Sequence, residues 1–175
     1  MTRVAVFAML ATAAACGYQL LHGNRPFGLS RIAVPPFSEE VPLGLSPDLT
    51  QAVAERIGGS GIMLVSDPSA AEATLDGRVL ASSTVLSPTS GVGARIPAYA
   101  IGVQIEVRLV TSAGRELWRT QISVDESFLP ASTPSDTALL ETEANRRRAL
   151  LRLAHEAARE IHEQLSLAGL PSKVD

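Results

Sequence analysis

From Tyr99 to Val110 the chain alternates with a period of two. Tyr99, Ile101, Val103, Ile105, Val107 and Leu109 fall on one side, and Gln104, Glu106 and Arg108 on the other. Such alternation predicts a strand with one face buried and one face wet. Ser112-Ala113-Gly114 supplies a turn, and Glu116 to Val124 returns with Trp118, Ile122 and Val124 on the inner side, which predicts a hairpin. Phe128-Leu129-Pro130 then leaves the sheet. Upstream, Thr74 to Leu86 reads as a longer strand, with Leu75, Val79 and Ala81 on one face and Asp76, Arg78, Ser82 and Thr84 on the other. Gly77 inside it marks a bulge or a close approach. Ser87 to Pro97, rich in Ser, Thr, Gly and Pro, reads as a loop.

Other stretches carry the helical period. Ser46-Pro47-Asp48 predicts a helix start, with serine as cap and proline at the first position. Leu49, Val53 and Ile57 then recur every four residues, and Gly58-Gly59 predicts the stop in a left-handed conformation. Thr133-Pro134-Ser135-Asp136 predicts a second start. The apolar stripe that follows is Leu140, Ala144, Leu150, Ala154, Ala158, Ile161, Leu165 and Ala168, interrupted at Arg147 and ended by Gly169 and Pro171. Arg31-Ile-Ala-Val-Pro-Pro-Phe37 reads as a short first strand stopped by its prolines, and Ile62 to Val65 as another short strand. The order strand, helix, strands, helix defines an α+β layer arrangement in a single domain.

The amino-terminal stretch has a different character. MTRVAVFAMLATAAACGY offers Arg3, an apolar run over Val4 to Ala11, small residues, and then Cys16, the one cysteine of the chain. This is the layout of an export signal, and its apolar run is shorter than the about 20 residues of a membrane-spanning helix. A cysteine at the cleavage point is the mark of a bacterial lipoprotein, in which that residue is diacylated. Two acyl chains are what stable anchoring requires. Ala13 stands where such signals usually carry Leu, so a plain secretory leader with an incidental cysteine is the competing reading. Gly17, in place of the Asp that retains lipoproteins in the inner membrane, favours the outer membrane. The expected division is a removed signal over 1–15, an acylated tether over 16–30, a domain over 31–170 and a polar tail over 171–175.

The full chain of 175 residues has a formal charge of −3, and loss of Arg3 with the leader leaves 14 basic against 18 acidic residues. That balance argues against nucleic acid as a partner. No catalytic constellation emerges. His155-Glu156 opens like a zinc-protease box, but Arg159 occupies the place of the second ligand, and His162 lies two turns from His155. Gly58-Gly-Ser-Gly-Ile62 falls short of a nucleophile elbow at its last position. Arg146-Arg147-Arg148 reads as a solvated helix face, with Glu143 placed to pair with Arg147. Arg95, in the loop, and Arg115, at the hairpin tip, are candidates to hold phosphate bidentately.

Cys16-Gly17-Tyr18, then Arg31-Ile-Ala-Val-Pro-Pro-Phe37, then the helix near Leu49, then Ala71-Glu72-Ala73-Thr74-Leu75-Asp76-Gly77 follow one another in an order that resembles the lipopolysaccharide-assembly lipoproteins, the LptE family. The resemblance implies two helices packed on one face of a mainly antiparallel four-stranded sheet; the residues themselves add a short extra strand at Ile62 to Val65. It implies a non-catalytic outer-membrane lipoprotein, with no cofactor beyond the lipid on Cys16, that plugs a large β-barrel translocon (LptD-like) and helps deliver lipopolysaccharide to the cell surface. On that view Arg95 and Arg115 are candidate lipopolysaccharide contacts. A start of the form Ile-Ala-Val-Pro-Pro-Phe is shared with lipoproteins that serve secretion channels or activate peptidoglycan synthases, which would be binding modules for other partners. An exported enzyme is the reading from a different class, and the usual acid, base, nucleophile and metal groups do not converge to support it.

Overall fold

The computed structural model describes residues 25–88, 97–131 and 136–170. The expected signal, Cys16, the first part of the tether, most of the loop carrying Arg95, the helix-start residues Thr133-Pro134-Ser135 and the polar tail lie outside the described residues.

The strict alternation around Val103 builds the central strand. Among the described residues six strands are formed: β1 (Arg31–Ala33), β2 (Ser38–Glu39), β3 (Met63–Leu64), β4 (Ala73–Pro88), β5 (Pro97–Thr111) and β6 (Glu116–Phe128). Two α-helices accompany them among the described residues, α1 (Ser46–Gly58) between β2 and β3, and α2 (Ala138–Ala168) after β6. The long strands β4, β5 and β6 pair antiparallel, whereas β1 runs parallel to both β3 and β4, and β2 runs parallel to β4. The sheet is therefore mixed and six-stranded, in the order β3-β1-β4-β5-β6 with β2 beside β4. This corrects the expectation of a mainly antiparallel four-stranded sheet. Strands of two or three residues are too short to show a period, and β1-α1-β3 makes the crossover that parallel pairing needs.

The core lies between the sheet and the helices. Ile101, Val103, Ile105, Val107 and Leu109 of β5 are buried, and so are Leu49, Val53 and Ile57 of α1 and Leu150, Leu153, Ile161 and Leu165 of α2. Each such side chain contributes roughly 1.5–3 kcal/mol on leaving water.

Details depart from the simple pattern for local reasons. The register between β4 and β5 shifts between Val79 and Ala81, so Ala81 pairs with the outward Gln104 and Ser82 with the inward Val103. The extra residue of this bulge exchanges the two faces expected beyond it. Gly77 is not the bulge but a close approach: a Cβ there would lie 2.1 Å from Cε2 of buried Phe37. Phe128 does not leave the sheet; it is buried at the end of β6, with its ring stacked 5.3 Å from that of Tyr99.

The helix ends also differ. Ser46 is the first residue of α1 rather than its side-chain cap, and its hydroxyl donates to the Phe37 carbonyl. The capping is done by Glu39 of β2, whose carboxylate accepts from the N–H groups of Leu43, at 2.9 Å, Gly44, at 3.1 Å, and Ser46. After α1, Gly59 keeps a helical φ of −64°, and the left-handed residue is Gly61. In α2 the docked face begins at Ala149; Leu139 and Leu140, in the first turn, are 85% and 73% exposed. At its other end Gly169 lets the chain come close, since a Cβ there would meet the Pro26 Cα at 2.5 Å. The helical turn Pro26–Gly28 thus brings the amino-terminal segment against the end of α2.

Candidate functional site

The helices cover one face of the sheet and leave the other open to solvent, where alternation places the polar side chains. Asp76, Arg108 and Arg119 lie side by side across β4, β5 and β6, and Arg78, Glu106 and Gln121 form the adjoining row. Two arginines directly opposite would repel. Here Arg108 approaches Asp76 at 3.7 Å, and Arg119 approaches Glu106 at 3.3 Å and Glu116 at 2.8 Å. The hydrogen bond that Arg119 donates to Glu116, then the Glu116 charge, raises the Arg119 pKa. Arg78 completes the set by reaching Glu40 at 3.3 Å. Asp76, Arg78, Glu106, Arg108 and Arg119 line an open polar depression of about 530 Å³, with charges of both signs answered locally.

Arg115 sits where the sequence places it, exposed in the turn between β5 and β6. Its N–H donates to Thr111 Oγ1 at 3.1 Å, its carbonyl accepts from the Thr111 N–H at 2.9 Å, and its guanidinium has no acidic partner among the described residues. Arg95 lies outside the described residues, between the strand ends Pro88 and Pro97. Those ends pair at one extreme of the sheet, while Ala73 pairs with Thr111 at the other. Fifteen residues of β5 separate the two extremes, about 45–50 Å at strand rise. Arg115 therefore shares its end of the molecule with Glu72 and Ser30, where the amino-terminal segment enters. The Ser112 N–H donates to the Glu72 carbonyl at 3.1 Å, and the Ser30 N–H to the Glu72 carboxylate at 2.8 Å.

The arginine run on α2 is only partly a solvated face. Glu143 pairs with Arg146, at 2.9 Å, and not with Arg147. Arg147 instead crosses to α1, reaching Asp48 at 2.7 Å and the Gly44 carbonyl at 3.2 Å. Arg148 donates to Asn145 Oδ1 at 2.9 Å. Along the edge strand β6, Arg152 of α2 holds Glu126 at 2.7 Å, and that hydrogen bond, against some desolvation, keeps the Glu126 carboxyl below the usual range.

Among the described residues the candidate catalytic groups do not come together. His155 is exposed; His162 is half-buried, and burial first, then the nearby Arg56 charge, lowers its pKa. Between them Arg159 is gripped by Glu156 and Glu163, which raise its pKa further. Ser60 donates its hydroxyl to the Ile57 carbonyl at 2.6 Å in the turn closing α1. No group of three or more His, Cys, Asp or Glu side chains gathers to hold a metal among the described residues. The capping carboxylate of Glu39 and the free edge of β4 escaped sequence reasoning. The first reaches N–H groups four to seven residues along, outside any periodic element, and the second depends on where the short strands stop.

Among the described residues the site is an open, ion-paired sheet face backed by two helices. The family model for lipopolysaccharide assembly, LptE, matches residues 29–165, and the chain belongs to that family. The fold is similar to a candidate lipoprotein from Caulobacter crescentus CB15, with a TM-score of 0.55 at 16% identity over 79% of this chain and 89% of that one. It is also similar to a minor lipoprotein from Acinetobacter baumannii, with a TM-score of 0.52 at 15% identity over 83% of this chain and 97% of the other. No curated protein matches the sequence.

Proposed function

We propose that the protein is an outer-membrane lipoprotein, held by acyl chains on Cys16 after removal of residues 1–15, that occupies the lumen of a large β-barrel partner and supports delivery of lipopolysaccharide to the cell surface. The observation that carries this reading is the family match over residues 29–165. The open sheet face suits the role. A barrel lumen is polar, and a surface whose arginines are each answered by a nearby carboxylate can lie against such a wall without burying an unpaired charge. The work asked of such a plug is shape and contact, not bond making. Affinity purification from detergent-solubilised outer membranes tests the partner. A large barrel recovered at one copy per copy of this protein is the expected result. A secretion channel or a peptidoglycan synthase in its place would overturn the reading.

Arg115 and Arg95 are proposed as separate contacts to the phosphates of lipopolysaccharide, because the strand ends that carry them stand too far apart to serve one headgroup. No described residue engages the Arg115 guanidinium, which leaves it available for a bidentate phosphate contact. Arg115→Ala and Arg95→Ala, made singly, should each weaken lipopolysaccharide binding several-fold with an unchanged melting temperature. Binding unaffected in either variant removes that residue from the account.

A further inference from the structure

Strand β4 outruns its neighbours on one side. β1 pairs with it only at Ala73 and Thr74, and β2 only at Arg78 and Val79. The Glu40 N–H donates to the Val79 carbonyl at 3.0 Å, and no backbone bond reaches that edge beyond it among the described residues. From Ala81 to Leu86 the strand is paired by β5 on its other edge alone. Alternate N–H and C=O groups of this stretch therefore face outward without a partner among the described residues.

Proteins guard such edges with charge, proline, a covering element or brevity. Among the described residues this stretch has none of these. The sequence carries no charged residue from Val79 to Ala94 and no proline from Val79 to Ser87. It is rich in β-forming residues, and Val85 and Leu86 are 55% and 64% exposed. The opposite edge of the sheet is treated differently. β6 carries Arg119, Asp125 and Glu126, and α2 lies along it, with Arg152 on Glu126 and Gln164 bonded to Thr120. Left uncovered, an edge like that of β4 is a template for aggregation.

We propose that the β4 edge from Ala81 to Leu86 receives an extended, uncharged segment of the barrel partner as an added strand. This rests on the plug reading above. A row of unpaired backbone donors and acceptors selects another extended backbone, here with about three pairing positions over six residues. The neutrality of the stretch calls for a segment that brings no charge to be left without a counterpart. Within a lumen filled by this domain, the surfaces that reach the edge are those of the barrel and its loops rather than of a second copy.

Amide hydrogen exchange over residues 81–86 tests this, measured on the intact protein alone and in the barrel complex recovered from outer membranes. Outward-facing amides should exchange about 100-fold more slowly in the complex. The double substitution Ser83→Lys with Val85→Lys, both at exposed positions, should lower recovery of the barrel about tenfold while leaving the melting temperature unchanged. Equal exchange rates in the two samples would overturn the added strand. Protection already present in the protein alone, and rising with its concentration, would overturn it too, by assigning the edge to a second copy. Failure to recover any barrel contradicts the plug reading itself, and the added strand with it. Recovery of the barrel with unprotected amides contradicts the added strand only.

Discussion

Glu39 shows how much a single side chain can do at a distance from its own element. Its carboxylate leaves β2 to meet the N–H groups at the start of α1. Desolvation pushes its pKa up, but the hydrogen bonds from Ser46, Leu43, Gly44 and Leu45 outweigh this and hold it below its ordinary value of 4.5. A carboxyl depressed in the folded state stabilises the fold above its unfolded pKa, and that contribution is lost as pH falls through the folded value. Glu39→Gln should therefore cost about 0.5–1 kcal/mol at neutral pH, the size of a lost helix cap. The gap to the parent protein should narrow in melts taken below about pH 4.5 as the parent carboxyl protonates. A gap that stays constant from pH 7 to pH 3 would show that the charge at Glu39 does not matter.

At the scale of elements, α2 divides into a buried part and a first turn with exposed leucines. Leu153 is fully buried against the core, whereas Leu140 is mostly exposed. Leu153→Ala should cost about 2–5 kcal/mol, as large-to-small core changes do. Leu140→Ala should stay within about 0.5 kcal/mol. Chemical denaturation of the two variants reads the difference, and equal losses would place Leu140 in the core. The sequence made both helices and the long strands β4, β5 and β6 legible, because periods of 3.6 and 2 persist there for several turns or pairs. It did not show the parallel pairings of β1, β2 and β3, since two or three residues carry no period and the pairing is decided by the crossover through α1. The bulge at Leu80 was equally hidden: one extra residue exchanges the faces of everything beyond it without altering composition. Of the candidate site, Arg115 was legible from its turn. The reach of Arg147 to Asp48 was not, because local spacing favours Glu143 and only the packing of α1 on α2 brings Asp48 within range.

Across the whole molecule, polarity runs along the long strands. The amino-terminal segment packs beside Gly169 and enters the sheet near Glu72 and the Arg115 turn, while the unguarded part of β4 projects at the far extreme. The proposed tether at one end and the proposed strand-accepting edge at the other would suit a body fixed within a larger assembly. The helices close off one face, and the open face presents paired charges. Depletion of the protein in cells, followed by labelling of lipopolysaccharide on the outer leaflet, tests the proposed role most directly. Loss of surface lipopolysaccharide with its accumulation inside the envelope is the result expected, and undiminished display at the surface would contradict it.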